Sequence, residues 1–281
     1  MLYVNVYYAP SNSRSKIIAQ AMVKGIKASS NDCPSLLSSA TYKGINSDVA
    51  IFYGLSEGLS RVMQDYSEHA TAIYVDLGYW RRRISGKYDG YHKVTVNSRH
   101  PNEYFQKVKH SGHRFRQLGM DIKPWQRNDG HILVAGMSAK AALAEKIEPE
   151  VWERKMIGDM ALSTKRKIIY RPKPNWSGAR DIRNSFMQRK VELEDAFKDC
   201  HSVVTHHSNV AVDSILAGIP AFCWHGVAAK MSLQDINQIN EPWYPEGREQ
   251  WAFDIAHCQW SLEEMTQGLP WKHLKNEGLV K

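Results

Sequence analysis

The sequence has few cysteines and no long hydrophobic run. Its 281 residues include four cysteines, which are scattered without the paired spacing of a metal site. We therefore expect reduced thiols and a cytoplasmic protein. No apolar run approaches the ~18 residues that a membrane-spanning helix needs. The first eight residues lack the basic region and the cleavage site of a signal peptide, and they indicate a buried strand instead.

Two common nucleotide-binding motifs and one metal-binding motif are also missing. The polar segment Ser11–Ser15 follows the first predicted strand, but it lacks the Gly-x-Lys-Ser/Thr core of a P-loop and the Gly-x-Gly-x-x-Gly pattern. No Asp-x-Asp motif is evident, which favours chemistry that uses positive side chains in place of a bound metal ion. Within the polar segment, Arg14 is a candidate contact for a substrate.

Positive charge is present in excess. Lys and Arg number 37 against 29 Asp and Glu, which gives a formal net charge of +8. In the segment Tyr79–Arg116, cations are interleaved with aromatic residues. Cations can meet phosphates while aromatic faces stack on bases, so this segment favours a polyanionic partner. The residues expected to contact that partner are Tyr79, Trp80, Arg81, Arg82, Arg83, Arg114 and Arg116, and Tyr88 is a further ring expected to stack on an exposed base.

Strand and helix patterns alternate along the chain. Strand patterns at Val49–Tyr53 and Thr71–Asp76 are separated by a helical pattern, and a second series of strands begins at His131–Ala135. This alternation predicts the α/β class, with parallel strands joined by crossover helices. The sequence therefore predicts two Rossmann-like domains, each built on a parallel sheet.

A polar, turn-rich segment at residues 123–130 separates the two series. We place the domain boundary there, with an N-terminal domain at 1–125 and a C-terminal domain at 126–281. The final part of the chain, from Glu249 through Trp260 to Met265, is predicted to be helical.

The most informative stretch covers residues 202–222. It predicts a strand, a tight turn, a helix that ends at Gly218, and a second strand. Because the helix opens at Ser208 and Asn209 directly after a strand, its free N–H groups and dipole suit a phosphate. Asp213 lies about one and a half turns further on, where its carboxylate can accept two hydrogen bonds from a ribose diol.

A second polar loop follows the strand pattern in Ile168–Pro174. Its two prolines fix the backbone, and Arg171 and Lys173 are expected to project from the carboxyl edge of the sheet, where such folds bind ligands. Gly136 and Ser138 follow another predicted strand and form a small loop at the same edge.

Two adjacent histidines, His206 and His207, precede the helix of residues 202–222. Adjacent side chains on an extended segment point to opposite sides, so we expect them to be poor joint ligands of a metal ion. One of them, assigned here as His207, is expected to face the bound ligand.

Residues 202–222 resemble the nucleotide-sugar-binding element of the GT-B glycosyltransferases. In that superfamily a Ser/Thr-rich turn meets the donor diphosphate, and an acidic residue before an Ala-Gly-x-Pro step holds the ribose; Ser208, Asp213 and the step Ala217–Pro220 match. The loop with Arg171 and Lys173 is similar to the basic-Pro loop of these enzymes. The resemblance implies a cleft between two Rossmann-like domains, a C-terminal helix that crosses back to the first domain, and a nucleotide sugar, taken as a UDP-sugar, with no cofactor or metal. The implied donor-binding residues are Gly136, Ser138, Arg171, Lys173, His207, Ser208, Asn209 and Asp213.

The same resemblance implies catalytic roles. Inverting sugar transfer needs a base that takes the proton of the acceptor hydroxyl, and GT-B enzymes usually supply it from the N-terminal domain. Asp76 ends a predicted strand there and is the first candidate, with His92 and Asp89 as alternatives. The implied catalytic residues are Asp76, Arg171 and Lys173. Further contacts with the acceptor are expected from Arg14 and Asn97.

The basic, aromatic segment and the compact size are similar to those of small phage-encoded glycosyltransferases, including enzymes that add sugar to hydroxymethylated bases in DNA. This similarity implies double-stranded DNA with modified bases as the partner, a flipped base, and a location in the host cytoplasm. Two alternatives stay open. One is a glycosyltransferase that acts on a lipid or capsular glycan at an anionic membrane. The other is a non-catalytic nucleic-acid-binding protein of the same fold.

Overall fold

The protein is described by a computed structural model. The structure describes residues 1–84, 86, 88–101, 108–174 and 176–281. The strands are β1 (Tyr3–Tyr8), β2 (Cys33–Ser38), β3 (Val49–Tyr53), β4 (Thr71–Leu77), β5 (His92–Val96), β6 (Ile132–Ala135), β7 (Ile168–Arg171), β8 (Phe186–Met187), β9 (Ser202–Thr205), β10 (Ala221–Cys223) and β11 (Gln259–Trp260). The α-helices are α1 (Ser13–Ser29), α2 (Leu59–His69), α3 (His113–Gln117), α4 (Ala139–Ala144), α5 (Val151–Ser163), α6 (Leu193–Ala196), α7 (Val210–Leu216), α8 (Arg248–Ala256), α9 (Leu262–Thr266) and α10 (Leu269–Asn276).

The chain divides into two compact units. Unit 1 comprises Met1–Ser111 together with Phe253–Lys281, and unit 2 comprises Gly112–Ala252. This division lies earlier than the boundary placed at residues 125 and 126. The connector belongs to unit 2 because its backbone is hydrogen-bonded there: the N–H of Lys123 donates to Leu216 and that of Gln126 donates to Gly218.

Unit 1 is built on a six-stranded sheet in the order β11-β5-β4-β3-β1-β2. The strands β2, β1, β3 and β4 are parallel, whereas β5 pairs antiparallel with β4, and β11 pairs antiparallel with β5. Alternate residues of a strand face opposite sides of the sheet. Val4 and Ile51 accordingly pack in the cluster that contains α1, while Tyr7 and Phe52 pack in the cluster that contains α2.

The C-terminal residues complete unit 1. The region predicted to be helical from Glu249 to Met265 contains most of α8 and α9, but Gln259 and Trp260 form the strand β11, which pairs with β5. The helices α9 and α10 then pack on α1. A Cβ atom on Gly25 of α1 would lie 1.9 Å from the carbonyl oxygen of Met265, so this helix crossing requires glycine.

Unit 2 is built on a five-stranded sheet in the order β10-β9-β6-β7-β8, and all of its pairings are parallel. The helix α5 buries Met156, Ile157 and Met160 against β6 and β7 on one face of the sheet. The other face packs on Ala196 of α6 and Val210 of α7. Because every strand runs in the same direction, the loops after β6, β7 and β9 all start at one edge of the sheet.

Among the helices that the structure describes, none combines the length and the apolar character needed to cross a membrane.

Candidate functional site

The central contact of the candidate site joins two loops at the carboxyl edge of the unit 2 sheet. The strands β7 and β9 are not neighbours, because β6 lies between them. Lys173, which follows β7, nevertheless reaches across and donates a hydrogen bond from Nζ to the Oγ atom of Ser208 at 2.9 Å. Both side chains are half-buried. The structure therefore brings together the two polar loops that the sequence analysis singled out separately.

The turn after β9 is held by its own side chains. Thr205 donates from Oγ1 to the carbonyl of Ala135 at 2.7 Å and accepts from the N–H of Ser208 at 3.4 Å. The Oγ atom of Ser208 lies 3.4 Å from the N–H of Val210, the first residue of α7. Asn209 precedes that helix without capping it through its side chain. The hydroxyl of Ser208 thus lies at the opening of α7, next to the Lys173 ammonium.

The loop after β6 approaches the same edge closely. A Cβ atom on Gly136 would lie 2.9 Å from the ring of Tyr170, so this position has room only for glycine. The next residue, Met137, donates its N–H to Oε1 of Glu153 at 2.6 Å. The Oγ atom of Ser138 accepts from the N–H of Ala141 at 3.2 Å and caps α4. Gly136 and Ser138 therefore fix the shape of the loop after β6, which follows a strand as the sequence analysis predicted.

Arg171 and Asp213 influence each other in unit 2. Burial lowers the pKa of the Arg171 guanidinium, and the carboxylates of Glu192 and Asp213 oppose that effect. Its Nη2 atom donates to the carbonyl of Val191 at 3.2 Å. Its buried Nε atom has no hydrogen-bond partner within the part of the chain that the structure describes. Arg171 thus contacts the Val191 carbonyl and lies within electrostatic range of Glu192 and Asp213, while Lys173 contacts Ser208.

The two adjacent histidines do not point apart as expected. Their Nδ1 atoms lie 2.7 Å from each other, because the chain bends immediately after β9 and is no longer extended at these residues. The ring of His206 also lies 4.6 Å from that of His225 and 5.5 Å from that of Trp152. Burial lowers the pKa of His206, and the neighbouring His225 acts in the same direction. A neutral imidazole and aromatic rings therefore line this part of the edge.

In unit 1, Asp76 lies at the carboxyl end of β4. Its Oδ2 atom accepts a hydrogen bond from the Tyr74 hydroxyl at 2.6 Å, and its Oδ1 atom accepts from the N–H of Leu77 at 2.8 Å. Burial raises the pKa of Tyr74, and the Asp76 charge raises it further. The carboxylate is half-buried and faces Lys93 across the pair formed by β4 and β5.

Burial lowers the pKa of two basic side chains beside Asp76, namely Lys93 and His92. Burial lowers the pKa of Lys93 to about 8, although the Asp76 charge opposes the effect. Burial also lowers the pKa of His92 to about 4, with the Arg14 charge acting in the same direction. At neutral pH the His92 imidazole is therefore neutral, whereas Lys93 still carries its charge on most molecules. His92 reaches this edge because β5 is antiparallel, so that its first residue lies beside the end of β4.

Arg14 lies at the same edge, near the start of α1. Its Nη1 atom donates to the hydroxyl of Tyr53 at 3.4 Å, and its guanidinium lies 5.3 Å from the centre of the Tyr88 ring. The Tyr53 ring in turn contacts that of His92, with centroids 6.0 Å apart. The predicted residues Arg14 and Asp76 are thus gathered around one tyrosine, whose pKa is affected by both charges.

Several of the expected acceptor contacts are not available at this edge. Tyr79 and Trp80 are 0% and 2% exposed, so the prediction that they stack on a base was wrong. Their backbone N–H groups donate to Oε1 of Gln259 in β11, which fixes them in the core. The neighbouring Arg81 and Arg83 are exposed, and Arg82 is half-buried and donates to the carbonyl of Tyr79.

Asn97 lies at the opposite edge of the sheet. The prediction assumed a parallel strand, but β5 is antiparallel, so its last residues lie beside the start of β4. The Asn97 side chain accepts from the N–H of Ala72 at 2.8 Å. Arg114 and Arg116 belong to α3 in unit 2, not to the unit that contains Asp76. Residues 85, 87 and 102–107 of the basic segment lie outside the described residues.

Sequence reasoning missed Glu153, which lies under the loop after β6. Charged residues surround it in the sequence, yet Glu153 is fully buried, and burial raises its pKa. Its spacing in the sequence could have predicted this burial, because the residues on the buried face of α5 recur at helical spacing: Glu153, Met156, Ile157 and Met160. His225 was also missed, because it follows the short strand β10 and no motif marks it.

Neither a family model nor a curated protein matches this sequence. Solved structures do match. A beta Kdo 2,4 transferase, KpsC of Thermosulfurimonas dismutans, aligns with 89% of this chain and 88% of its own, at 9% identity and a TM-score of 0.53. The beta Kdo 2,7 transferase of the same protein aligns with 96% of this chain and 99% of its own, at 13% identity and a TM-score of 0.52. The likeness confirms the predicted fold class, an α/β chain with two Rossmann-like domains of the GT-B kind.

Proposed function

We propose that the protein is a glycosyltransferase that moves a sugar from a nucleotide-sugar donor to a hydroxyl acceptor. The observation that carries this proposal is the hydrogen bond between Lys173 and Ser208 at the opening of α7. It places an ammonium, a hydroxyl and the first N–H groups of a helix at one point of the unit 2 edge. These are the groups that bind and neutralise a phosphate.

In this proposal Lys173 and Arg171 stabilise the negative charge that grows on the nucleotide as the sugar departs. Charge placed in advance at a half-buried position is effective because it needs no reorganisation during the reaction. Asp213 would accept hydrogen bonds from the ribose, and its influence on Arg171 supports a location near the phosphate side. His206, His225 and Trp152 would line the remainder of the donor site.

Asp76 of unit 1 is proposed as the base that takes the acceptor proton. Hydrogen bonds from Tyr74 and Leu77 hold both of its oxygens, which fixes their direction. The neighbouring His92 is neutral at pH 7 because its pKa is lowered to about 4, and it therefore adds no competing positive charge. A positioned carboxylate of this kind contributes on the order of 100-fold or more to a proton-transfer step.

We propose a glycan hydroxyl, not a base in DNA, as the acceptor. The burial of Tyr79 and Trp80 removes two of the three rings expected to stack on a flipped base, and the third, Tyr88, is half-buried against Arg14. The two solved structures that the fold resembles carry the names of Kdo transferases, which makes a nucleotide-activated Kdo donor a natural member of any substrate panel. The acceptor would be a saccharide chain, free or attached to a lipid.

The test is a panel of nucleotide sugars, including UDP-sugars and a nucleotide-activated Kdo, offered to the full chain. A donor that binds only the folded state raises the melting temperature. The same samples are then assayed for slow release of free nucleotide in the absence of acceptor. We expect one donor class to stabilise the wild type and Lys190→Ala, in which an exposed lysine of the same unit is lost. Lys173→Ala should lose that stabilisation.

Failure of every donor to shift the melting temperature or to release nucleotide would contradict the proposed activity. Salt-sensitive binding of duplex DNA together with a mass gain on hydroxymethylated DNA would instead restore the DNA acceptor. Binding of DNA with no turnover of any donor would favour the non-catalytic alternative.

A further inference from the structure

Three histidine side chains meet in unit 1, away from the residues discussed so far. His110, His257 and His273 each offer a ring nitrogen, and these atoms all lie within 4.8 Å of one another. The rings of His110 and His257 are stacked with centroids 4.2 Å apart, and the ring of His273 lies 5.9 Å and 5.7 Å from them. His110 is buried, while the other two are half-buried.

A carboxylate holds the most buried of the three rings. Oδ1 of Asp254 lies 3.1 Å from Nδ1 of His110 and also accepts the backbone N–H of His110 at 2.8 Å. Both side chains are 5% exposed. Nε2 of His110 is the nitrogen on the other side of the ring, and Oε1 of Glu277 lies 3.8 Å from it. An imidazole held by a carboxylate through one nitrogen is the arrangement that orients histidine ligands of metal ions.

The spacing of the nitrogens is close to what a transition-metal ion needs. Tetrahedral zinc with Zn–N distances of about 2.0–2.1 Å brings its ligand nitrogens to about 3.4 Å from one another. Rotations of the half-buried His257 and His273 side chains can close the present gap. Three imidazoles are a donor set that suits zinc and its neighbours in the first transition row. Glu277 or a water molecule can complete the fourth position.

The ion would also have a way in. A cavity of about 440 Å³ adjoins the cluster and is lined by His257 and His273, with Thr95 and Ser98 among the other residues. An entry path and room for a water ligand are requirements for such a site.

We propose that His110, His257 and His273 bind one divalent transition-metal ion of the zinc type, with Asp254 as a positioning residue. His110 lies next to Ser111, where the chain leaves unit 1, and His257 follows soon after Phe253, where it returns. The ion would therefore fix these two segments of unit 1 to each other and to α10. The role is structural, and it does not depend on the proposed sugar transfer.

The test measures zinc binding to the tag-free full chain after treatment with a chelator. Isothermal titration and native mass spectrometry should show one tightly bound ion per chain. The double variant His257→Gln/His273→Gln should bind at least 100-fold more weakly. His69→Gln, a control that removes a histidine whose side chain is 70% exposed in the same unit, should bind like the wild type. Asp254→Asn should weaken binding by about 10–100-fold, because it removes the carboxylate that orients His110.

Equal affinities for the wild type and the double variant would overturn the proposal. So would an equal loss of affinity in the His69→Gln control. If the double variant fails to fold, cobalt replaces zinc in the wild type. Intense visible absorption of the tetrahedral kind is expected, and the weak absorption of an octahedral ion would contradict the site. Activity of the enzyme with sugar donors plays no part in these readings.

Discussion

Lys173 and Lys93, at the carboxyl edges of the two sheets, lie in different environments. In unit 2, Lys173 is half-buried, and its ammonium donates to the Ser208 hydroxyl. In unit 1, Lys93 lies against the rings of Tyr74 and Tyr79, and burial lowers its pKa to about 8. The first edge keeps a cation near solvent, which suits an anionic ligand. The second edge buries Lys93 beside the Asp76 carboxylate, where the lysine is shielded from solvent but still carries its charge on most molecules at pH 7.

The difference follows from how the strands run. The unit 2 sheet is parallel throughout, so its polar loops all leave from one edge. In unit 1 the strands β5 and β11 reverse direction, and the edge near Asp76 is completed by the first residue of β5. Two sheets of the same fold class can therefore hold a lysine near solvent at one carboxyl edge and bury a lysine beside a carboxylate at the other, because two strands run in the opposite direction.

The largest effect is expected from Asp76→Asn. If this carboxylate is the base, transfer should fall by roughly 100-fold or more, while donor affinity in unit 2 stays within about twofold. Steady-state transfer and calorimetric donor binding measure the two quantities. Asp65→Asn is the matched control, because Asp65 also accepts from a tyrosine hydroxyl at 2.6 Å but lies on α2. An Asp76→Asn enzyme that retains a tenth of the wild-type rate would contradict the proposed role of Asp76 as the base.

The second effect is expected from Lys173→Ala in unit 2. Loss of the ammonium should lower the single-turnover rate by about 10–100-fold, because its charge matters most as the nucleotide departs. Lys173→Arg keeps the charge and should recover part of the rate. Rapid-quench kinetics with saturating donor provide the measurement. A rate equal to that of Lys190→Ala would mean that the unit 2 edge does not use its cation.

Acid should affect the stability of the two units in opposite directions. Burial raises the pKa of Glu153, so the folded form of unit 2 holds that proton more tightly than the unfolded chain. Its free energy of unfolding should therefore increase as the pH falls from neutral toward 4.5, the ordinary value of a glutamate. Glu153→Gln should abolish this increase. Hydrogen exchange of peptides from β6 and β7, followed by mass spectrometry, reports on unit 2 alone.

Asp32 should give unit 1 the reverse behaviour. Burial alone would raise its pKa, but hydrogen bonds from Lys275, Leu2 and Trp271 lower it to about 2. Its contribution is complete above the ordinary value of 3.8 and is lost as the pH falls through 2. We expect Asp32→Asn to cost about 1–3 kcal/mol at pH 7 and to remove this acid sensitivity. Exchange of α10 peptides that does not differ between the two proteins would contradict the assignment.

The smallest effect is expected from Arg81→Ala combined with Arg83→Ala. Both side chains are exposed, and on the proposed glycan acceptor their loss should change the transfer rate by less than about twofold. The measurement is steady-state transfer at two salt concentrations. A steep loss of activity that depends on salt would show that these cations meet a polyanion after all.

Sequence patterns predicted most of unit 2 and less of unit 1. Ligands of parallel sheets bind in the loops that follow the carboxyl ends of the strands. In unit 2 these loops can be identified from the sequence, because strand and helix patterns alternate and so predict parallel strands. This reasoning singled out Lys173 and Ser208 separately. It did not predict their contact, because the position of β6 between β7 and β9 is a property of the folded sheet. In unit 1 no local signal announces that β5 runs backwards, so Asn97 was placed at the wrong edge. The burial of Tyr79 depends on Gln259, which is distant in the chain.

A phosphate site at the unit 2 edge requires that Lys173 and Ser208 act together. The decisive measurement is a calorimetric double-mutant cycle with Lys173→Ala, Ser208→Ala and the combined variant, titrated with the nucleotide sugar that most raises the melting temperature. We expect each single variant to weaken binding by about tenfold or more. The combined variant should be only slightly weaker than the weaker single one, because contacting residues are not additive. Unchanged affinity in both single variants, or fully additive losses, would contradict a joint phosphate site.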